Sequence, residues 1–165
     1  MVLKSAYYAL CESHLSYGIL VWGHSSIRHH LFSLQRKAIR ILANINYRDD
    51  CKEQFKNLQI LTLPCIYILK CLLYVKTNLH LYKQHSDYHS YFTRNKDALC
   101  PRSIRLSKSK NAAEYYSVKF FNKLPVPVQE LEIVCFKKRI KNFLLGKAYN
   151  EFSEFINDDC TFYNS

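Results

Sequence analysis

Two adjacent carboxylates in the string Tyr47-Arg48-Asp49-Asp50 have the form needed for metal-dependent phosphoryl transfer. Such chemistry uses two metal ions bridged by carboxylates, and a neighbouring pair needs a further Asp from well upstream. Asp49 is the first Asp of the chain, and Glu12 is the only carboxylate before it. We therefore expect Asp49 and Asp50 to lie in a loop or to cap a helix rather than to bind metal.

The His and Cys residues are spaced unlike metal ligands. The densest group comprises His80, His85, His89 and Cys100. Its separations of five, four and eleven residues match no usual zinc-ligand pairing. Cys11 and Cys135 fall in predicted helices with nothing nearby to activate a nucleophilic thiol. We accordingly expect no metal, no cofactor and no small-molecule substrate, and we predict that this chain is not an enzyme by itself.

Basic and aromatic residues are mixed between positions 80 and 110, where helical periodicity is lost. The candidate contacts to nucleic acid in this segment are Tyr91, Arg94, Lys96, Arg102 and Arg105. Cations contact phosphates while rings stack on exposed bases, so the mixture suits single-stranded or irregular nucleic acid. A solvated loop is the alternative, and the pattern favours neither.

A second candidate surface lies on the clearest amphipathic helix of the chain. Its apolar positions follow a spacing of four and three residues: Ile27, Leu31, Leu34, Ala38, Ile41 and Ile45. At about 100° per residue these positions form one stripe, which predicts the buried face. Arg36 and Arg40 lie opposite with Lys37 at the flank, and we interpret them as phosphate contacts. A merely solvated charged face is the alternative.

Composition indicates which class of protein carries these residues. The 165 residues include 24 Lys and Arg against 13 Asp and Glu, and the formal charge of +11 favours a polyanionic partner. Only three Gly and four Pro argue for long helices and against a barrel or sandwich. The most apolar stretch, residues 60–75, is shorter than the roughly 20 residues that cross a bilayer. Seven Cys without a CxxC pair, and an N-terminus without a leader pattern, predict reduced thiols and an intracellular protein that is not secreted.

The predicted fold is mostly α, an irregular bundle of about five to six helices with a long basic loop region around residues 80–110. One helix is expected over residues 4–22, with a cap at Gly23. The helix that carries the apolar stripe described above should be capped by Ser25 or Ser26. A short helix is expected from Asp49 or Asp50 to Leu58. Thr62 and Pro64 begin a helix to about Leu79, apolar on nearly all sides, which should be central. Further helices are expected over residues 111–124 and 132–145, the latter capped by Gly146. Residues 148–165 form an acidic tail segment.

Several short strings occur in an order that is itself informative. They are YGILVWG at 17–23, LQRKAIRIL at 34–42, ILTLPCIYI at 60–68, DYHSYFTRNK at 87–96, FFNKLP at 120–125 and FKKRIKNFLL at 136–145. Together with Tyr7 and Ser13, this order resembles the segment after the palm in reverse transcriptases of non-LTR (LINE-type) retrotransposons of the jockey kind. The resemblance covers about residues 4–155.

The resemblance implies a thumb-like segment at residues 1–58 and a helical C-terminal extension at 59–165. In that family, fingers and palm with the catalytic Asp residues lie upstream of such a segment. The resemblance therefore implies a non-catalytic part of an RNA-directed DNA polymerase that binds RNA or an RNA–DNA hybrid and the palm. We expect it in the nucleus or cytoplasm, with no membrane partner. An orphaned docking fragment without activity of its own is the alternative.

Overall fold

The computed structural model describes residues 2–87, 97–101 and 113–159, and this part of the chain is all-α. The four longer helices are α4 (Ile27–Ala43), α6 (Leu63–Thr77), α7 (Ala113–Lys123) and α9 (Ile133–Lys147). The short ones are α1 (Val2–Tyr7), α2 (Ser13–Ser16), α3 (Ile19–Trp22), α5 (Lys52–Asn57), α8 (Val126–Gln129) and α10 (Phe152–Asn157). The predicted mostly helical fold is confirmed.

The basic loop region is only partly described. A π-helical turn, Tyr8–Glu12, joins α1 to α2, and 3-10 turns follow α6 at Leu79–Leu81 and His85–Asp87. Within the described ranges, the only β pairing is a single antiparallel bridge between Gln84 and Leu99. No helix in these ranges is both long and apolar enough to cross a membrane.

Helix α6 is the centre of the fold, as predicted. It begins where the Thr62 hydroxyl accepts the Cys65 backbone N–H, with Pro64 in its first turn. Helices α3, α4, α7 and α9 all pack on it, and ten of its fifteen residues are buried. An aromatic cluster closes one side, with the rings of Tyr67 and Phe152 4.9 Å apart and those of Phe120 and Phe155 5.4 Å apart. Residues on both sides of position 58 thus share one apolar core.

The predicted helix over residues 4–22 is interrupted. Tyr17 is extended and Gly18 is left-handed, with a φ of 58°, so the chain turns between α2 and α3. Gly23 is the C-cap of α3, as predicted, although it is not left-handed. A glycine fits there because a Cβ would lie 2.4 Å from the Tyr67 ring. The predicted cap at Gly146 is wrong, since α9 continues to Lys147 and Ala148 adopts the left-handed conformation instead.

The predicted buried face of α4 is only half right, since Leu31, Ala38 and Ile45 pack half-buried against the core but the other three members are exposed. The buried residues of this helix are Phe32, Gln35 and Ile39. Three members of the predicted stripe, Ile27, Leu34 and Ile41, are 53%, 44% and 79% exposed. Helix α4 therefore has an apolar surface wider than its contact with the core. Ser26 occupies the N-cap position of α4 but its side chain makes no capping hydrogen bond.

The acidic tail segment is largely part of the fold. Phe152 and Phe155 of α10 are buried in the aromatic cluster, and Glu151 and Glu154 form a capping box at the start of this helix. Lys147 pairs with Asp158 at 2.7 Å. The described end of the chain is thus fixed to the core by both apolar and charged contacts.

Candidate nucleic-acid interface

The three predicted contacts on α4 lie beside one another on the helix surface, outside its buried residues. Arg36 and Arg40 are one turn apart and half-buried, and Lys37 is exposed on the side of Arg40 that is away from the core. The other predicted contacts, Tyr91, Arg94, Lys96, Arg102 and Arg105, lie outside the described residues. We call Arg36, Lys37 and Arg40 the α4 basic face.

Arg36 is held in a fixed orientation by neutral groups. Its Nη2 donates a hydrogen bond to Asn150 Oδ1 at 3.2 Å, which joins α4 to the segment before α10. Its Cζ lies 4.3 Å from the centre of the Phe32 ring, a cation–π geometry. Both partners are uncharged, so they orient the guanidinium without neutralising it.

Arg40 is positioned in the same way by the loop after α4. Its Nε donates to the backbone carbonyl of Asp49 at 3.0 Å, and its Cζ lies 5.7 Å from the Tyr47 ring centre. Arg40 bonds to the backbone carbonyl of Asp49 and not to its carboxylate, whose Oδ2 accepts the backbone N–H of Asn46. Arg40 therefore keeps its full positive charge at the edge of the basic face.

The neighbouring basic residues, by contrast, contact acids. Arg28 and His29 both approach Glu151, at 3.6 Å and 3.4 Å, and Lys52 approaches Glu154 at 3.6 Å. In the part of the chain that the structure describes, none of the three residues of the α4 basic face forms an ion pair. The acids of α10 thus neutralise one part of the basic surface around α4 and leave the α4 basic face uncompensated.

A second basic surface lies on α9. Lys137, Lys138 and Lys141 are exposed, and Lys70 is the exposed cation of α6. Lys70 and Lys141 act on the carboxyl of Glu12, whose pKa is nevertheless raised because burial disfavours its charged form. Acids of the tail segment pair with α4, α5 and Lys147 rather than with these three lysines of α9.

The paired carboxylates at 49 and 50 have structural partners. Asp49 Oδ2 accepts the backbone N–H of Asn46 at 3.1 Å, and Asp50 Oδ1 accepts that of Lys52 at 3.2 Å. The first bond stabilises a turn, and the second satisfies the first N–H of α5 from the loop residue before its N-cap, Cys51. The prediction of a loop or helix cap is confirmed.

Other groups that could do chemistry are dispersed. No cluster of three or more His, Cys, Asp or Glu side chains suited to a metal occurs in the described ranges, which exclude His89. The six described cysteines are all free thiols. Burial raises the pKa of both Cys65 and Cys71 to about 12, so these two remain protonated at neutral pH.

Sequence reasoning missed the most specific polar group near this face, Gln35. It is 2% exposed, and its Nε2 donates to the Tyr7 hydroxyl at 2.8 Å and to the Leu61 carbonyl at 2.9 Å. Its Oε1 accepts the Leu63 N–H at 2.7 Å. These bonds fix α4 against α1 and α6, so the side of α4 that carries the basic face is set by a buried polar residue. No hydrophobicity pattern signals such a residue.

Comparison with known proteins gives no relative: no family model, curated protein or solved structure matches this chain.

Proposed function

We propose that this chain is the thumb-like segment and C-terminal extension of a non-LTR-type reverse transcriptase, and that it binds RNA or an RNA–DNA hybrid through the α4 basic face. In this proposal the chain does not catalyse polymerisation by itself, and it works inside the cell, in the nucleus or cytoplasm. The order of short motifs supports the family, and the charge of +11 supports a polyanionic partner.

One observation carries the binding proposal: the two arginines of the α4 basic face are oriented by neutral partners while adjacent cations are paired with acids. A guanidinium that is held in place but not neutralised is prepared for a phosphate, because less side-chain entropy is lost on binding. Lys37 adds a mobile point charge to the same face. Phosphate contacts of this type position nucleic acid without reading its sequence.

The test is fluorescence anisotropy with a labelled single-stranded RNA and a labelled RNA–DNA hybrid at several salt concentrations. We expect a variant with Arg36→Gln, Lys37→Gln and Arg40→Gln to bind at least about tenfold more weakly at low salt. The slope of its log binding constant against log salt concentration should decrease in magnitude by about 2 to 3. A variant with Lys137→Gln, Lys138→Gln and Lys141→Gln removes the same charge from α9. If both variants lose equal affinity, binding follows net charge and the proposed site is wrong.

The loop contacts form a second, separate part of the proposal. Arg94, Lys96, Arg102 and Arg105 would contact the backbone, with Tyr91 stacking on a base. Replacing the four cations by Ala should weaken binding and reduce its salt dependence, whereas Tyr91→Leu should weaken binding at unchanged salt slope. Unaltered affinity in both variants would remove the loop from the interface.

A docking role without nucleic-acid binding is the second candidate, and the apolar surface of α1 to α4 favours it. Val2, Leu3, Leu10, Tyr17 and Val21 are all largely exposed, in addition to the three exposed residues of α4. Scattered exposed apolar residues are ordinary, but a concentration in one region indicates an interaction surface. In the family that the motifs resemble, the partner would be the palm. If none of the variants above loses RNA binding, the docking role is favoured.

A further inference from the structure

The apolar residues exposed on α4 form one continuous row. Ile27, Leu34 and Ile41 recur every seven residues along the helix, and we call this row the α4 ridge. From Ile27 to Ile41 the row is about 21 Å long, or nearly four helical turns. Beside it, toward the core, lie the half-buried Leu31 and Ala38. Two adjacent rows with this spacing are the pattern into which another helix packs.

The ridge is separate from the surface that stabilises the fold. The buried residues of α4 are Phe32, Gln35 and Ile39, and the hydrogen bonds of Gln35 fix which side of the helix faces the core. Rotating α4 to bury the ridge would leave the Leu63 N–H and the Leu61 carbonyl unpaired in the core. The ridge residues therefore remain available to a partner in the folded chain.

Charge around the ridge identifies the partner. Lys37 and His30 are exposed along one side of the ridge, and α4 contains no acidic residue at all. A second copy of α4 could supply no counter-charge to Lys37. The chain's own segments outside the described residues, 88–96, 102–112 and 160–165, contain no Asp or Glu and could supply none either.

We propose that the α4 ridge binds an acidic amphipathic helix of another protein, with Leu or Ile side chains packing between the ridge and the half-buried row. Glu or Asp residues flanking that apolar stripe pair with Lys37 and His30, as flanking charges do in coiled coils. The proposal concerns protein recognition and does not depend on the RNA binding proposed above.

The test uses synthetic labelled peptides of about three heptads with Leu and Ile at the same spacing. One peptide carries Glu at the flanking positions, and its counterpart carries Lys. We expect the acidic peptide to bind at least about tenfold more tightly to the full chain than the basic peptide does. Equal binding of the two peptides, or binding of neither, would overturn the proposal.

Variants locate the site. Leu34→Gln with Ile41→Gln should weaken binding of the acidic peptide at least about tenfold, because two large apolar contacts are lost. Val134→Gln on α9 removes an equally exposed apolar side chain and should leave binding unchanged. Lys37→Glu should shift preference toward the basic peptide without affecting the fold. Retention of acidic-peptide binding by the ridge variant would place the site elsewhere.

Self-association is measured in parallel by light scattering after size-exclusion chromatography. We expect a monomer at micromolar concentration, unchanged by the ridge variant. A dimer that Leu34→Gln with Ile41→Gln dissociates would show that a second copy occupies the ridge, and would overturn the proposed heterotypic partner.

Discussion

Gln35 on α4 accepts the backbone N–H of Leu63, the first residue of α6, at 2.7 Å. This N–H has no partner within its own helix, because the first N–H groups of any helix lie beyond the reach of its carbonyls. A buried side chain from a different helix thus completes the start of the central helix. With its two further bonds, to Tyr7 and Leu61, the amide of Gln35 has partners for both its oxygen and its nitrogen.

Replacing Gln35 by Leu should lower the free energy of unfolding by about 2–4 kcal/mol, since it leaves buried polar groups unpaired. Urea unfolding followed by circular dichroism measures this loss. Gln54→Leu on α5 is the matched control, with an expected change within about 0.5 kcal/mol. Equal stability of the Gln35 and Gln54 variants would mean that the bonds to Gln35 contribute little.

Two glycines should respond in opposite directions to substitution by Ala. At Gly23 a Cβ would lie 2.4 Å from the buried Tyr67 ring and 2.5 Å from the Ile19 carbonyl, so Gly23→Ala should destabilise the fold by about 1–3 kcal/mol. At Gly146, inside α9, a Cβ meets nothing within 4 Å, and Gly146→Ala should stabilise by about 0.5–1 kcal/mol. Thermal unfolding of both variants tests the pair, and a stabilising Gly23→Ala would contradict the close packing.

The stability of the fold should depend on pH through Glu12. Burial raises the pKa of this carboxyl, against the lowering effects of Lys141 and Lys70, and its Oε2 has no hydrogen-bond partner among the described residues. The folded state therefore holds the proton more tightly than the unfolded state does. The stability that protonated Glu12 contributes is complete below the pKa of Glu12 in the unfolded state, and it is lost as pH rises through its pKa in the folded state.

The corresponding measurement is urea unfolding of Glu12→Gln at pH about 4 and about 7. We expect the variant to match the parent chain at the lower pH and to be more stable at the higher one. Glu130→Gln changes an exposed carboxylate on another part of the surface and serves as the control. If Glu12→Gln raises the free energy of unfolding by the same amount at both pH values, titration of Glu12 is excluded as the cause.

Removing acids beside the α4 basic face should strengthen the proposed RNA binding. Glu151→Gln and Glu154→Gln keep the oxygen atoms that cap α10 but release Arg28, His29 and Lys52 from their partners. Together the two changes should tighten RNA binding about twofold to fivefold at low salt, with the gain disappearing at high salt. Glu130→Gln with Glu132→Gln adds the same net charge at a distance. If this control variant tightens RNA binding equally, the position of the added charge does not matter.

Local signals predicted α6 correctly, and the reason is physical. A Thr followed by Pro two residues later specifies a helix start, and the apolar run that follows is long enough that only a central position can cover it. Helix α9, expected over residues 132–145, is likewise present, and its apolar residues Phe136, Ile140 and Leu144 recur every four residues and are buried.

The orientation of α4 was not predictable in this way. Apolar spacing identified a stripe, but only half of it contacts the core: Leu31, Ala38 and Ile45 pack half-buried against it, while Ile27, Leu34 and Ile41 form the exposed ridge. Which side turns inward depends on groups distant in sequence: Tyr7, Leu61 and Leu63 for Gln35, and Phe55 for Phe32, 6.2 Å away between ring centres. Periodicity shows that a helix has an apolar side, while tertiary hydrogen bonds decide which side is buried.

The Thr62 hydroxyl, which caps α6, also donates a hydrogen bond at 2.6 Å to the backbone carbonyl of Tyr149, 87 residues later in the chain. During synthesis α6 leaves the ribosome long before α7, α9 and α10, which cover it, have been made. The growing chain must therefore carry a helix with apolar groups on nearly every side until Tyr149 emerges. A chaperone that shields such helices is expected to bind nascent chains in which α6 has emerged and the helices that cover it have not.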